Sequence, residues 1–297
     1  MKKIFQNNFI IFLIYNIFNE VIDYIKFNII YKYKYRYTYL HKSTLFEKLK
    51  KKKKIKDSKV CHIIGAGGSL NSSIDKISKK DFVLGCNLAV LADLNFDFYT
   101  IEFASNDKIT EPKHITSYLV KRKLLKNNTV VIFKNLISEK IDRNFLKKTY
   151  QKSLNFITDY SWRCFNKKQL KFYLENKIFG KTEKFYQYNS TLVLLISIAY
   201  NLKFKKIILH GVDFGGKYFY SSKVNLNIKK ISHIKELKDH ENNNISKQGV
   251  YTDFKDLNMP GVFKQISNIL EKKGINLLAA SRSSKSSKFL RVYKNFI

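Results

Sequence analysis

The sequence predicts an α/β protein, with a doubly wound, mostly parallel sheet behind a basic N-terminal segment. Three observations carry this. The stretch Val60–Asn87 (VCHIIGAGGSLNSSIDKISKKDFVLGCN) reads as strand, Gly-rich turn, helix start and strand. Short apolar runs then alternate with helical segments as far as Ala279, which argues for parallel βαβ units. Small and polar residues recur at the C-terminal ends of those runs, where open α/β sheets bind ligands.

The chain has 297 residues, enough for one large or two small domains, and a formal net charge of +33. A balance of 56 Lys+Arg against 23 Asp+Glu suggests an anionic partner. The excess is nearly all Lys, Phe, Tyr, Ile and Asn are abundant, and Pro (2) and Gly (11) are scarce. That pattern looks like codon drift in an AT-rich genome, so the charge is discounted as a sign of nucleic-acid binding. Three cysteines, Cys61, Cys86 and Cys164, include no C-x-x-C pair and read as core thiols of a reducing compartment.

Residues 1–59 form the first segment. The apolar run Phe9–Phe18 is too short for a bilayer span of roughly 20 residues, and Glu20 and Asp23 bring charge just beyond it. An amphipathic or interfacial helix to about Ile30 is expected, then the aromatic-cationic alternation Tyr31–Tyr39 and the lysine run Lys48–Lys54. Together they suggest an anchor on an anionic membrane surface; a solvated basic arm, or a helix packed on the domain, is the competing reading.

Residues 60–297 form the second unit. Strands are expected at Val60–Ile64, Phe82–Cys86, Phe96–Ile101, Thr129–Phe133, Lys206–His210 and Ile275–Ala279. Helices are expected at Leu70–Ser73, Leu88–Ala92, Ile115–Leu125, Leu192–Leu202 (capped by Ser190 or Thr191) and Gly261–Lys273. Asn144–Gln187, aromatic and lysine-rich without a period, reads as an irregular or helical insertion that could cover the site as a lid. Residues 221–249 are the most loop-like.

The turn at Gly65, Gly67, Gly68 and Ser69 fits a phosphate or nucleotide cradle. It is not a dinucleotide fingerprint, since Leu70 stands where the third glycine belongs and Asn87 where an acidic residue is expected. No Gly-Lys-Ser/Thr makes it a Walker loop. Thr100, Asp213 and Ser283 fall at other strand ends. Asp213 could be a base, though such a residue more often caps a turn and orients a loop, the role favoured here. Tyr218 and Tyr220 could donate to a leaving phosphate or simply pack. His41, His62, His114, His210, His233 and His240 are scattered without i, i+4 pairing, and no D-x-D or G-x-S-x-G occurs; no metal site is expected.

These motifs resemble the bacterial lipooligosaccharide sialyltransferases of glycosyltransferase family 42 and the related central domain of flagellin motility accessory factors. The resemblance rests on Gly65–Leu70, Cys86-Asn87, Ser190-Thr191, Gly211-Val212-Asp213-Phe214 and Thr252-Asp253-Phe254-Lys255, and runs over roughly Val60–Phe289. It implies a Rossmann-like, GT-A-like variant fold with a small lid, and metal-independent inverting transfer of a sugar from a CMP-activated donor to a cell-surface glycan acceptor. It implies no cofactor beyond that donor substrate. By carry-over, Gly67, Ser69 and Asn87 would hold CMP, Ser190 and Thr191 would meet the donor sugar, and Tyr218 and Tyr220 would assist the departing phosphate. The family's histidine base would correspond in type to His240, in a looser register. The chain departs from the pattern at Ala66, Gly68, Thr100, Tyr188 and Gly215, which leaves another acidic or nucleotide-activated sugar open. The implied location is the cytoplasmic face of a bacterial inner membrane, and a homo-oligomer stays open. The alternative is a non-catalytic nucleotide- or nucleic-acid-binding protein on the same fold.

Overall fold

The structure is a computed structural model that describes residues 2–26, 29, 41–102, 128–134, 155–215, 218 and 257–294. Apolar runs of three to five residues become the strands β1 (Val60–Ile64), β2 (Phe82–Cys86), β3 (Phe98–Glu102), β4 (Val130–Lys134), β5 (Asn155–Ile157), β8 (Lys206–His210) and β9 (Asn276–Ala279). They form one seven-stranded sheet in the order β5-β4-β3-β2-β1-β8-β9. Every pairing in it is parallel. The order turns back between β1 and β8, so a switch point opens at the C-terminal ends of these two strands. A separate parallel pair joins β6 (Asp159–Tyr160) to β7 (Phe185–Tyr186).

Helices cover the sheet. α5 (Thr191–Asn201) starts at Ser190, whose Oγ accepts from the Leu192 N–H at 3.2 Å, and it is buried along almost its whole length. α6 (Met259–Lys272) is capped by Asn258 and buries Val262, Phe263, Ile266, Ile269 and Leu270.

Several expectations are corrected. Leu70–Ser73 is not an α-helix: it lies in two short 3₁₀ turns, Gly68–Ser72 and Ile74–Lys76. Ser and Asn side chains compete there for backbone groups, as when Ser72 Oγ donates to the Ser69 carbonyl at 2.8 Å. The Leu88–Ala92 segment is also 3₁₀, spanning Asn87–Leu91. The described part of the expected lid, residues 155–187, is ordered core. It contributes β5, β6, α4 (Lys167–Tyr173) and β7, and buries Tyr160, Trp162, Tyr173 and Phe179. The helix expected at Ile115–Leu125 lies outside the described residues.

The N-terminal segment folds as α1 (Lys2–Asn7), α2 (Phe9–Tyr24) and α3 (Lys42–Lys56). Phe12, Leu45, Phe46 and Leu49 join the same core as the sheet. Glu20, which in the sequence only ends an apolar run, is the polar key to this packing. Its carboxylate accepts from Trp162 Nε1 (2.9 Å), Tyr186 OH (2.8 Å) and Lys184 Nζ (2.5 Å). Burial pushes its pKa up, but these hydrogen bonds and the Lys177 charge prevail and hold it below the ordinary carboxylate value. Asn16 does the same with the Arg163 backbone, accepting from its N–H at 2.8 Å. Lysines of α3 are clamps as well: Lys42 donates to the Thr182 carbonyl, Lys53 to that of Leu202 and Lys56 to Asp97. No described helix is long and apolar enough to cross a membrane.

Candidate functional site

The site is built where two loops meet at the switch point. The Gly65 N–H donates to the His210 carbonyl at 2.8 Å, and the Gly67 N–H to the Gly211 carbonyl at 2.9 Å. A Cβ at Gly65 would lie 2.6 Å from the Gly211 oxygen, and one at Gly67 2.5 Å from Asp213 Oδ2. The close approach these glycines allow is therefore to the neighbouring loop. Asp213 closes the joint. Its Oδ2 accepts from the Ser69 N–H (2.9 Å), and its Oδ1 from the Ser69 hydroxyl (2.7 Å) and the Lys285 N–H (3.3 Å). Asp213 thus has the turn-capping role favoured from the sequence, and the Ser69 N–H and hydroxyl are committed to it.

Beneath this floor runs a buried polar chain that the sequence alone does not reveal. Ser73 Oγ lies 2.9 Å from His210 Nδ1, His210 Nε2 lies 2.8 Å from His62 Nδ1, and His62 Nε2 lies 3.2 Å from Asp81 Oδ2. One proton arrangement satisfies every contact with neutral rings: Ser73 donates to His210, His210 to His62 and His62 to Asp81. Burial, and then the neighbouring His62, push the His210 pKa well below its ordinary value. The His62 hydrogen bond holds the Asp81 carboxyl down against its partial burial. In sequence the two histidines stand 148 residues apart. The available signal was a histidine within one apolar strand and at the end of another.

Around the floor stand the other candidates. Asn87 lies just after β2 with φ 49°, a conformation Asn tolerates better than most residues. Its carbonyl accepts from the Tyr99 hydroxyl, which in turn accepts from the Val90 N–H at 2.7 Å. Ser283 joins Ser72 and Ser281 in a triangle of exposed hydroxyls with sides of 2.8–2.9 Å. Ser190 and Thr191 begin α5, which runs back along the sheet before β8, so they too lie toward the C-terminal strand ends. Thr100 is different. It is wholly buried, and among the described residues its hydroxyl has no hydrogen-bond partner, so it belongs to the core face of β3. Gly68 opens the 3₁₀ turn. Tyr218 is brought to the turn by an antiparallel bridge to Gly67. Tyr220 and His240 lie outside the described residues. Asn87, Asn189 and Phe214 have positive φ, as do Asp57 and Lys203 ahead of β1 and β8.

Among the described residues no group of three His, Cys, Asp or Glu side chains could hold a metal ion. All three cysteines are free and buried. A cavity of about 410 Å³ lies elsewhere, lined by Lys167, Lys168 and Lys171 of α4 and by Gln265 and Lys272 in the C-terminal half of α6.

No protein-family model matches the sequence, and no curated protein matches it. Several solved structures resemble the chain in shape. One is the sialyltransferase CST-II in complex with a trisaccharide acceptor and CMP, with a TM-score of 0.40 and 16% identity over 78% of this chain and 85% of that one. Another is CstII from Campylobacter jejuni with the substrate analogue CMP-3FNeuAc, at 0.41 and 15% over 78% and 84%. A third is the alpha-2,3-sialyltransferase from Campylobacter jejuni in apo form, at 0.43 and 14% over 81% and 82%.

Proposed function

We propose that this protein is a metal-independent, inverting glycosyltransferase that moves an acidic sugar from a CMP-activated donor to a glycan acceptor. The observation that carries the reading is the switch point. The glycine turn is braced by Asp213, Asn87 follows the neighbouring strand β2 and Ser283 lies 2.9 Å from Ser72 of the turn; the turn, Asn87 and Asp213, like Ser190 and Thr191, belong to the sialyltransferase-like motifs. In this reading the two-faced amide of Asn87 meets the cytosine or ribose edge, and the backbone of the turn faces the phosphate. Ser190 and Thr191 meet the donor sugar. The acceptor hydroxyl attacks the anomeric carbon as the bond to the phosphate oxygen breaks. The hydroxyl's proton passes to a base, for which His240 is the candidate, and CMP leaves with hydrogen bonds from Tyr218 and Tyr220. The absence of any D-x-D from the sequence supports charge stabilisation by side chains.

Donor choice is left open by position 188. Tyr188 is buried in the core with its ring 6.0 Å from Tyr173, so it offers the donor's carboxylate no charge. The test is calorimetry with CMP, then a hydrolysis and transfer screen with CMP-activated acidic sugars. Asn87→Ala should weaken CMP by about 1–3 kcal/mol through lost polar contacts. His240→Ala should slow transfer by about 10²–10⁴-fold while leaving CMP affinity unchanged. If CMP does not bind and a thermal-shift panel responds instead to UDP, GDP or NAD, the donor class is wrong. If CMP binds but no CMP-sugar turns over, the non-catalytic nucleotide-binding reading replaces this one.

A further inference from the structure

α2 is apolar on both faces, with two polar residues buried on the inner one. A helix on a protein surface normally turns apolar residues inward and polar residues to water. Here Phe12, Asn16 and Glu20, one turn apart, face the domain and are buried. The opposite face carries Ile10, Ile14, Ile17, Phe18, Val21 and Ile22, with Ile10 68%, Ile14 62% and Phe18 64% exposed. From Ile10 to Ile22 this stripe runs about 18 Å along the axis at 1.5 Å per residue. No charged residue occurs between Ile4 and Asn19. Among the described residues every exposed large hydrophobic except Ile55 falls between Ile4 and Ile29. A continuous apolar surface of this kind marks an interaction site.

We propose that the outer face of α2 docks this protein on an anionic lipid surface, with the helix lying flat. Charge selects this occupant. The chain carries +33, so a second copy would set two strongly cationic molecules against each other, whereas anionic headgroups complement the charge. At 16 residues α2 is shorter than the roughly 20 that a span needs, and an apolar helix face of this size is suited to the headgroup–acyl boundary. The inner face fixes the orientation: Glu20 and Asn16 tie α2 to Trp162, Lys184, Tyr186 and Arg163. The contact therefore positions the whole domain. The inference does not rest on glycosyl transfer.

The test uses the full chain with vesicles of phosphatidylcholine and phosphatidylglycerol, and with phosphatidylcholine alone. The wild type should pellet with the anionic vesicles and release as salt rises. The double substitution Ile14→Asn with Phe18→Asn should lower partitioning by at least about tenfold and leave the unfolding midpoint unchanged, because both side chains are exposed. Phe18→Trp gives a direct readout: its emission should shift to the blue on addition of anionic vesicles, against the constant signal of buried Trp162. Equal pelleting of wild type and double variant, or no shift from Phe18→Trp, overturns the proposal. So does blue emission that grows with protein concentration without lipid, with sedimentation as a dimer, which would assign the stripe to a second copy.

Discussion

Removing the Asp213 carboxylate should unfasten the floor of the site. Asp213→Ala deletes two good hydrogen bonds, from the Ser69 N–H at 2.9 Å and the Ser69 hydroxyl at 2.7 Å, and a weaker one from the Lys285 N–H at 3.3 Å. Hydrogen bonds to a charged group contribute about 1.5–3 kcal/mol each. Two at the lower end, because Asp213 is partly exposed, give a loss of about 3 kcal/mol. Asp213→Asn should fall between, because it keeps one acceptor oxygen but turns an amide N–H toward a donor. Urea unfolding monitored by far-UV circular dichroism measures both. A cycle with Ser69→Ala isolates the hydroxyl's share, with an expected coupling of about 1–1.5 kcal/mol. A loss under about 0.5 kcal/mol for Asp213→Ala, or additive single effects, would refute the clamp. Unchanged stability with lost CMP affinity would make Asp213 a ligand contact instead.

The geometry sets three further outcomes. The folded-state pKa of His210 lies below its unfolded value, so its neutral form contributes stability that is full above about pH 6.5 and is lost as pH falls below it, with a slope of at most about 1.4 kcal/mol per unit; a pH series that stays flat between 6.5 and 5 in the wild type contradicts the buried chain, and His210→Asn should flatten it. Thr100→Val removes a buried hydroxyl that has no partner among the described residues and should leave stability unchanged or raise it by about 1 kcal/mol with CMP affinity intact; a fall in CMP affinity would return Thr100 to the site. Glu20→Ala leaves buried Trp162 and Tyr186 donors without an acceptor and should cost about 3 kcal/mol in urea unfolding; an effect under about 0.5 kcal/mol would mean that α2 is not coupled to the sheet.

Much of the sheet was legible because parallel strands are short apolar runs. β1, β2 and β8 begin and end where the pattern placed them, and of the two cap candidates, Ser190 and Thr191, the structure selects Ser190. β5 was missed since three residues in an aromatic, lysine-rich stretch carry no period. The helix after Gly67 was misjudged because serine and asparagine hydroxyls and amides divert the backbone into 3₁₀ turns. The site was legible as a set of strand ends, but its internal chemistry was not. The bonds joining Ser69 to Asp213 and His62 to His210 depend on register between strands far apart in sequence, and single-chain periodicity is silent on register. Glu20 read only as charge beyond an apolar run because nothing local announces that a carboxylate will find donors far away in sequence, at Trp162, Lys184 and Tyr186.

The backbone joint between Gly65–Gly67 and His210–Gly211 also constrains how such a site can diversify. With no room for a Cβ on either side and two backbone hydrogen bonds between them, the two loops are ordered against each other when the chain folds, and the entropy of that ordering is lost then. A small molecule entering the switch point meets a floor already in place, which raises affinity without any added contact. The same rigidity divides the local residues into two populations. Changes to the floor disturb folding itself, while changes on the rim, at Ser281 or Ser283, alter exposed hydroxyls above it. A descendant of this chain could therefore exchange one ligand for another by rim substitution alone, on an unaltered scaffold.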